Sequence, residues 1–126
     1  SGILHALLHI GNFDQLLGHP ILGQSYEGFA IDNILSFLSP HTQAYFYRTA
    51  RGAEIDLVLE MPDGRRIAIE IKKSSAPKLR KGFYEGSIDI KATHKYLVYD
   101  GMETFSLGDG VQAIGLASLV NLLITN

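Results

Sequence analysis

The chain has 126 residues, of which 46% are hydrophobic, and this is enough for the buried core of one domain. Its formal net charge of −2 excludes a protein that binds nucleic acid through overall positive charge, so any such affinity needs a local basic patch. The absence of cysteine excludes disulfides and thiolate zinc sites. With no apolar run of membrane-spanning length and no signal-peptide pattern, the sequence predicts a soluble, cytoplasmic protein without a membrane partner.

The first third of the chain is predicted to be helical. Ile3–His9 has the pattern of an amphipathic helix, Phe13–Leu17 that of a helical turn, and Gln24–Leu38 that of a longer helix. The first helix starts abruptly, without a cap-rich leader. We therefore expect residues 1–126 to form a single domain that is a fragment of a longer polypeptide.

After residue 40 the pattern changes from helical periodicity to that of strands. The predicted elements are strands at Ala44–Arg48, Ala53–Glu60 and Arg66–Lys72, a helix over Pro77–Ile90 that Gly82 and Gly86 weaken, a strand at Lys95–Tyr99, a strand near Val111–Ile114 and a last helix at Leu116–Leu123. The order helix, three-strand meander, helix, strand predicts an α/β domain, in the α+β sense of a mixed sheet flanked by helices, with an extra N-terminal helix.

The segment Pro62-Asp63-Gly64 sets the register of the second and third predicted strands. Pro and Asp suit a type I turn, and Gly supplies the left-handed residue of a G1 bulge. Counting outward from this turn places Asp56 directly opposite Glu70 on one face. The other face carries apolar residues only: Ile55, Leu57, Leu59, Ile67, Ile69 and Ile71. Two opposed carboxylates destabilise a sheet, so a compensating group is expected.

The same register places Lys72 beyond Glu70 on the same face, opposite Glu54. One interpretation is a metal site, in which Asp56 and Glu70 bind Mg²⁺ or Mn²⁺ and Lys72 holds or polarises the attacking water. The alternative is a solvated charged face, in which Lys72 pairs with Glu54 and the carboxylates point into water.

Glu27 is a further candidate ligand. It lies in line with Ile31, Ile34 and Leu38, on the apolar stripe of its predicted helix. A carboxylate there is costly unless it is paired, protonated or bound to a cation. Glu27 is therefore either a direct or water-mediated metal ligand or a surface residue at the edge of the stripe.

Basic residues follow the third predicted strand and could bind a polynucleotide backbone. Candidates for phosphate contacts are Lys72, Lys73, Lys78, Arg80 and Lys81, with Arg48 and Arg51 from the first loop of the meander. The alternative is an ordinary solvated face, which the slightly negative net charge favours at least as well.

These residues resemble the motif of the PD-(D/E)XK nuclease superfamily, in the order Glu27 on a helix, Asp56 on a strand and Glu70-Ile71-Lys72 on the next strand. More narrowly, the chain is similar over almost its whole length to the C-terminal domain that follows a P-loop AAA+-type ATPase module in a large prokaryotic group of poorly characterised ATPases. The supporting segments are Gly2–Leu8, His19–Gly23, Tyr26–Phe29, Tyr45–Thr49, Gly52–Asp56 and Ile69–Ser74.

The resemblance implies a restriction-endonuclease-like core and metal-dependent phosphodiester hydrolysis. It implies that Asp56, Glu70 and Lys72 are catalytic, and that Asp56, Glu70, the backbone carbonyl of Ile71 and Glu27 are ligands of Mg²⁺ or Mn²⁺. Ile55 stands where the superfamily's name has proline. Because the chain lacks a phosphate-binding loop, the ATPase would be an N-terminal module of the full-length protein.

Nucleic acid is the implied substrate, with DNA expected ahead of RNA. The rival interpretation is a catalytically silent nuclease fold that serves as a regulatory or protein-docking domain of the ATPase. The sequence leaves open whether the site is active and whether the chain forms a homo-oligomer.

Overall fold

The elements of the fold are taken from a computed structural model that describes residues 25–125 and the backbone of two short strands before them, β1 (Ile3–Leu4) and β2 (Leu7–Leu8). They continue as α1 (Tyr26–Ser36), β3 (Gln43–Thr49), β4 (Glu54–Glu60), β5 (Arg66–Ile71), α2 (Lys81–Asp89), β6 (His94–Tyr99), β7 (Phe105–Gly108), β8 (Val111–Gly115) and α3 (Leu116–Ile124). The predicted mixed α+β class is confirmed, as is the order helix, three-strand meander, helix, strand.

A single mixed sheet of eight strands runs through the described part of the chain. Its order is β1–β3–β4–β5–β6–β8–β7, with β2 also paired to β3. The pairs β3–β4 and β4–β5 are antiparallel, whereas β5–β6 and β6–β8 are parallel. A parallel pair needs a crossover connection, and α2 lies in the crossover from β5 to β6. The edge strand β7 was not predicted from the sequence.

The predicted N-terminal helix is wrong where the structure describes it, because Ile3–Leu4 and Leu7–Leu8 are strands that pair antiparallel with β3. A short apolar run is compatible with either a helix or a strand, and here pairing with the edge of β3 favours strands. The predicted helical turn at Phe13–Leu17 lies outside the described residues. None of the helices in the described part is long and apolar enough to span a bilayer.

The sheet separates two apolar clusters. Helices α1 and α3 cover one face, over residues that include Leu57, Leu59, Ile67 and Ile69. Helix α2 covers the other face, where Phe83 is fully buried. The alternation predicted for β4 and β5 is therefore confirmed for these four residues.

Ile55 departs from that alternation because β4 contains a β-bulge. Tyr45 pairs with Val58 and Tyr47 with Ile55, so Asp56 and Leu57 together face the one β3 residue between the two tyrosines. An extra residue on one strand breaks the alternation of side chains on either side of it. Ile55 consequently packs in the α2 cluster and not, as predicted, in a layer with Leu57.

Two glycines allow α2 to approach the sheet closely. A Cβ atom on Gly82 would overlap the carbonyl oxygen of Gly52, and one on Gly86 would lie 2.9 Å from Cγ1 of Ile55. The residues that weaken α2 as an isolated helix are thus the ones that permit its packing. This packing fixes the start of α2, and with it Arg80, beside β4 and β5.

The substitution Gly82→Ala should lower the free energy of unfolding by about 1–3 kcal/mol, because the added methyl group displaces α2 from the Gly52 carbonyl. In a helix without this contact the same change would stabilise by up to about 1 kcal/mol. The sign of the change in the free energy of unfolding, measured by urea titration, therefore tests the packing. Ile88→Ala, on an exposed face of α2, is the control and should change stability by less than about 0.5 kcal/mol.

Candidate functional site

The hairpin turn has the predicted geometry. The N–H of Met61 donates to the carbonyl of Arg65 at 2.9 Å, and Gly64 has a φ of +95°. The carboxylate of Asp63 accepts hydrogen bonds from the backbone N–H and Nε of Arg65, at 3.0 and 2.8 Å. The strands then pair Leu57 with Ile69, one position before the acids. The predicted register is confirmed from Glu60–Arg66 to Leu57–Ile69, and beyond it Asp56 and Glu70 both lie within 3.6 Å of one nitrogen of Arg80.

Glu70 is the most deeply buried charged residue of the site. Its side chain has 0% exposure, and both of its oxygens bind one guanidinium. Nε of Arg80 donates to Oε2 at 3.0 Å and Nη2 donates to Oε1 at 2.7 Å. Forked arginine–carboxylate pairs are among the strongest hydrogen-bonded ion pairs. A carboxylate buried to this degree without such a partner would be strongly destabilising.

The same guanidinium reaches two further acids. Nη2 of Arg80 lies 3.6 Å from Oδ1 of Asp56, and Nη1 donates to Oε2 of Glu54 at 3.1 Å. Glu54 is also 3.6 Å from Nε of Arg48. The pairing of Lys72 with Glu54, which the sequence offered as an alternative, is not formed among the described residues. Arg80 instead is the compensating group that the opposed acids required.

Asp56 is held between a backbone donor and its charged neighbours. Its Oδ2 accepts the N–H of Ile71 at 2.9 Å, and its side chain is 6% exposed. Burial raises the pKa of Asp56 to about 7, with smaller increases from Glu27 and Glu70, while the Ile71 N–H and Arg80 oppose the rise. Asp56 therefore exchanges its proton close to neutral pH.

Glu27 lies near the same charges, although its side chain is exposed. Burial raises its pKa, Arg80 opposes this, and the carboxylates of Glu54 and Glu70 add to the rise. Glu27 and Asp56 contribute to one pocket of about 250 Å³, lined by Glu27, Ile31, Phe46, Arg48, Glu54, Ile55 and Asp56. It thus belongs to the acidic cluster but stands at its open side, while the rest of its helical stripe is buried.

Lys72 follows the end of β5. Its backbone N–H donates to the carbonyl of Val98 at 2.8 Å, and its side chain is half-buried. Within the described residues its ammonium group has no hydrogen bond or ion pair. Ile71 is buried, and its N–H is taken by Asp56, as described above.

The other basic candidates divide into two groups. Lys73, Lys78 and Arg51 are exposed, and the exposed Lys81 lies 3.9 Å from Glu85. Arg48 and Arg80 instead face the acids, and the guanidinium of Arg48 also lies 5.7 Å from the centre of the Phe46 ring. The sequence grouped Arg80 with the lysines, and only the need of two opposed carboxylates for a positive charge could have singled it out.

Metal ligation at this site would rest on few protein groups. In the described part of the chain, no three Asp, Glu or His side chains converge as ligands of one ion. Asp56 and Glu70 are the acids that lie near the same nitrogen of Arg80, Nη2. A metal held by them would complete its coordination with a backbone carbonyl and water, as Mg²⁺ commonly does.

Comparison with known proteins places the chain in a family. Residues 22–119 match the family described as "Domain of unknown function (DUF4143)". The chain belongs to this family. Two curated relatives, the uncharacterized proteins Mb2031c of Mycobacterium bovis and Rv2008c of Mycobacterium tuberculosis, are each 35% identical to it over 114 residues, which is 90% of the chain. This DUF4143 domain spans 25% of the length of those relatives. No solved structure matches it.

The raised pKa of Asp56 predicts how the stability of the DUF4143 domain depends on pH. The ordinary pKa of an aspartate is 3.8, and that of Asp56 in the folded domain is about 7. Between these two pH values the folded domain keeps the proton on Asp56 and the unfolded chain does not. The free energy of unfolding should therefore fall as pH rises through this window, by up to about 1.4 kcal/mol per pH unit from this group.

The variant Asp56→Asn should lose most of this slope, which urea titrations across the window would measure. Asp63→Asn is the matched control, because the pKa of Asp63 is lowered by its bonds to Arg65 and its effect lies at more acid pH. Equal slopes in wild type and Asp56→Asn would contradict the assignment.

Proposed function

We propose that this domain is a metal-dependent phosphodiesterase of the PD-(D/E)XK type, acting on nucleic acid, DNA ahead of RNA, beside an ATPase module of the full-length protein. The observation that supports it is that one nitrogen, Nη2 of Arg80, lies 2.7 Å from Glu70 and 3.6 Å from Asp56. Carboxylates that share one cationic group are also placed to share a metal ion. We also propose a cytoplasmic location.

Asp56 and Glu70 would hold Mg²⁺ or Mn²⁺ directly, with the carbonyl of Ile71, and Glu27 would act through a bridging water at the open side of the pocket. When bound, the ion would supply an activated water and offset charge on the scissile phosphate. Asp56 must be ionised to act as a ligand, and its pKa of about 7 makes this favourable above neutral pH. Metal affinity is therefore expected to rise from acid to mildly alkaline pH.

Lys72 is the residue proposed to act on the reacting groups. Its ammonium has no internal partner among the described residues, and it stands two residues after Glu70. It is thus available to orient a water or to neutralise a phosphate oxygen. The exposed Lys73, Lys78 and Lys81 would contact neighbouring phosphates, which positions a polynucleotide without reading its sequence.

A catalytically silent module is the second candidate, and a specific observation favours it. Arg80 already neutralises Glu70, and no group of three potential ligands converges within the described residues. In this case the acids and Arg80 stabilise the fold, and the domain docks on or regulates its ATPase. This candidate predicts no affinity for Mn²⁺ and no change in partner binding when Asp56 is replaced.

A cleavage assay on the 126-residue chain and on the full-length protein tests the proposal. Each protein is incubated with single- and double-stranded DNA and RNA in the presence of Mg²⁺ or Mn²⁺, with and without ATP. Cleavage should fall at least about 100-fold in Lys72→Ala and in Asp56→Asn, which remove the group proposed to orient the attacking water and a proposed metal ligand. Arg65→Gln, at the far end of the hairpin, should retain wild-type cleavage.

Cleavage that persists undiminished in Lys72→Ala and Asp56→Asn would assign it to another site or to a contaminant. Folded wild-type protein that cleaves none of the substrates would favour the silent module.

A further inference from the structure

Arg80 lies outside the sheet that contains its acidic partners, Asp56 and Glu70. Glu70 and Asp56 lie on neighbouring strands, and Glu70 has no exposure, whereas the side chain of Arg80 is 44% exposed. Arg80 is the N-cap residue of α2, but its side chain makes no capping hydrogen bond. The segment 72–80 before α2 contains neither helix nor strand. The guanidinium can therefore swing outward without moving a core element, and the carboxylates cannot follow it.

We infer that Arg80 is a tethered counter-cation that competes with divalent metal for Asp56 and Glu70, and that a polyanionic substrate draws it away. This inference deepens the proposed function and rests on it. Its basis is the bridging geometry: Nη2 lies between the acids that would bind the metal, and Nε completes the fork on Glu70. A metal ion coordinated by both carboxylates would need the oxygen atoms that the guanidinium of Arg80 contacts. The ion and the guanidinium therefore cannot bind at the same time.

Charge balance explains why the release of Arg80 and the binding of a metal ion are each unfavourable without the other. Withdrawal of Arg80 leaves the buried Glu70 without a partner, which is costly unless another cation replaces it. The freed guanidinium in turn loses a forked acceptor, and a phosphate offers it an equivalent one. Metal and phosphate together satisfy both halves of the separated pair. The site would therefore remain closed to metal until a phosphate backbone arrives.

The surroundings of Arg80 suit such an exchange. Lys73, Lys78 and Lys81 are exposed on the same irregular segment or at the start of α2. An arginine that swings outward joins these ammonium groups, so the positive surface that meets a polyanion grows as the acids become free. Because the two equilibria share one side chain, metal must strengthen binding of the polyanion by the same factor as the polyanion strengthens binding of metal.

Calorimetric titration with Mn²⁺ tests the competition. Arg80→Gln should bind Mn²⁺ at least about tenfold more tightly than wild type, since it keeps both carboxylates and removes their internal cation. Mn²⁺ should also raise its melting temperature more than that of wild type. Arg65→Gln is the matched control, because it removes an arginine paired to the exposed Asp63 and should leave Mn²⁺ affinity unchanged.

A second variant covers the case in which Arg80→Gln does not fold. Glu54→Gln removes one partner of Arg80 and leaves both proposed ligands, so it should weaken the hold on the guanidinium and raise Mn²⁺ affinity several-fold. Unchanged Mn²⁺ affinity in every folded variant of Arg80 or Glu54 would overturn the inference.

The exchange of partners is tested by repeating the Mn²⁺ titration of wild type with a DNA duplex whose phosphorothioate backbone resists cleavage. The duplex should raise wild-type Mn²⁺ affinity at least about fivefold more than it raises that of Arg80→Gln, in which only direct attraction between the metal and the phosphates remains. A duplex with an uncharged methylphosphonate backbone should have no effect on either protein. Equal effects of the charged duplex on both proteins would contradict the role of Arg80.

The two proposals fail in different ways. A gain of Mn²⁺ affinity in Arg80→Gln without cleavage by any form of the protein would support the competition and contradict the phosphodiesterase function. Cleavage by wild type, with Mn²⁺ affinity equal in wild type and Arg80→Gln, would support the function and overturn the inference.

Discussion

The fork between the guanidinium of Arg80 and the carboxylate of Glu70 is the contact on which the site depends. Glu70 has no solvent exposure, so its charge must be balanced from within the protein. That requirement explains the approach of α2, because its start has to lie over β4 and β5 for Arg80 to reach the acid. The close contact of Gly82 with the Gly52 carbonyl allows this approach. Packing and electrostatics thus lead to the same arrangement.

Local chemistry made the centre of the site predictable. The turn at Pro62–Gly64 depends on residues that favour one backbone geometry, and the strand period then fixes which side chains are opposed. Asp56 beside Glu70 follows from counting alone. The elements from α1 to β6, and the last strand and helix, also follow from periodicity, although α2 is shorter than predicted, since Pro77–Arg80 precede its first turn.

What the sequence did not reveal depends on distant partners. The bulge that turns Ile55 toward α2 arises from pairing between β3 and β4, and no local signal marks it. Strand pairing likewise overrides the helical pattern of Ile3–Leu4. Arg80 resembled its lysine neighbours in the sequence, because the nine residues between it and Glu70 contain no signal that the chain returns to the sheet. Only the folded arrangement separates Arg80 from the exposed cations.

A site that already contains a cation is compatible with both a silent and an active domain, and the two differ in whether Arg80 can be replaced. Anomalous diffraction from crystals of Arg80→Gln grown with Mn²⁺ would measure this most directly. We expect one peak bonded to oxygens of both Asp56 and Glu70 at about 2.1 Å, the distance typical of a small hard divalent cation. Ordered carboxylates with no peak between them, or a peak bonded to neither, would contradict a shared cation site.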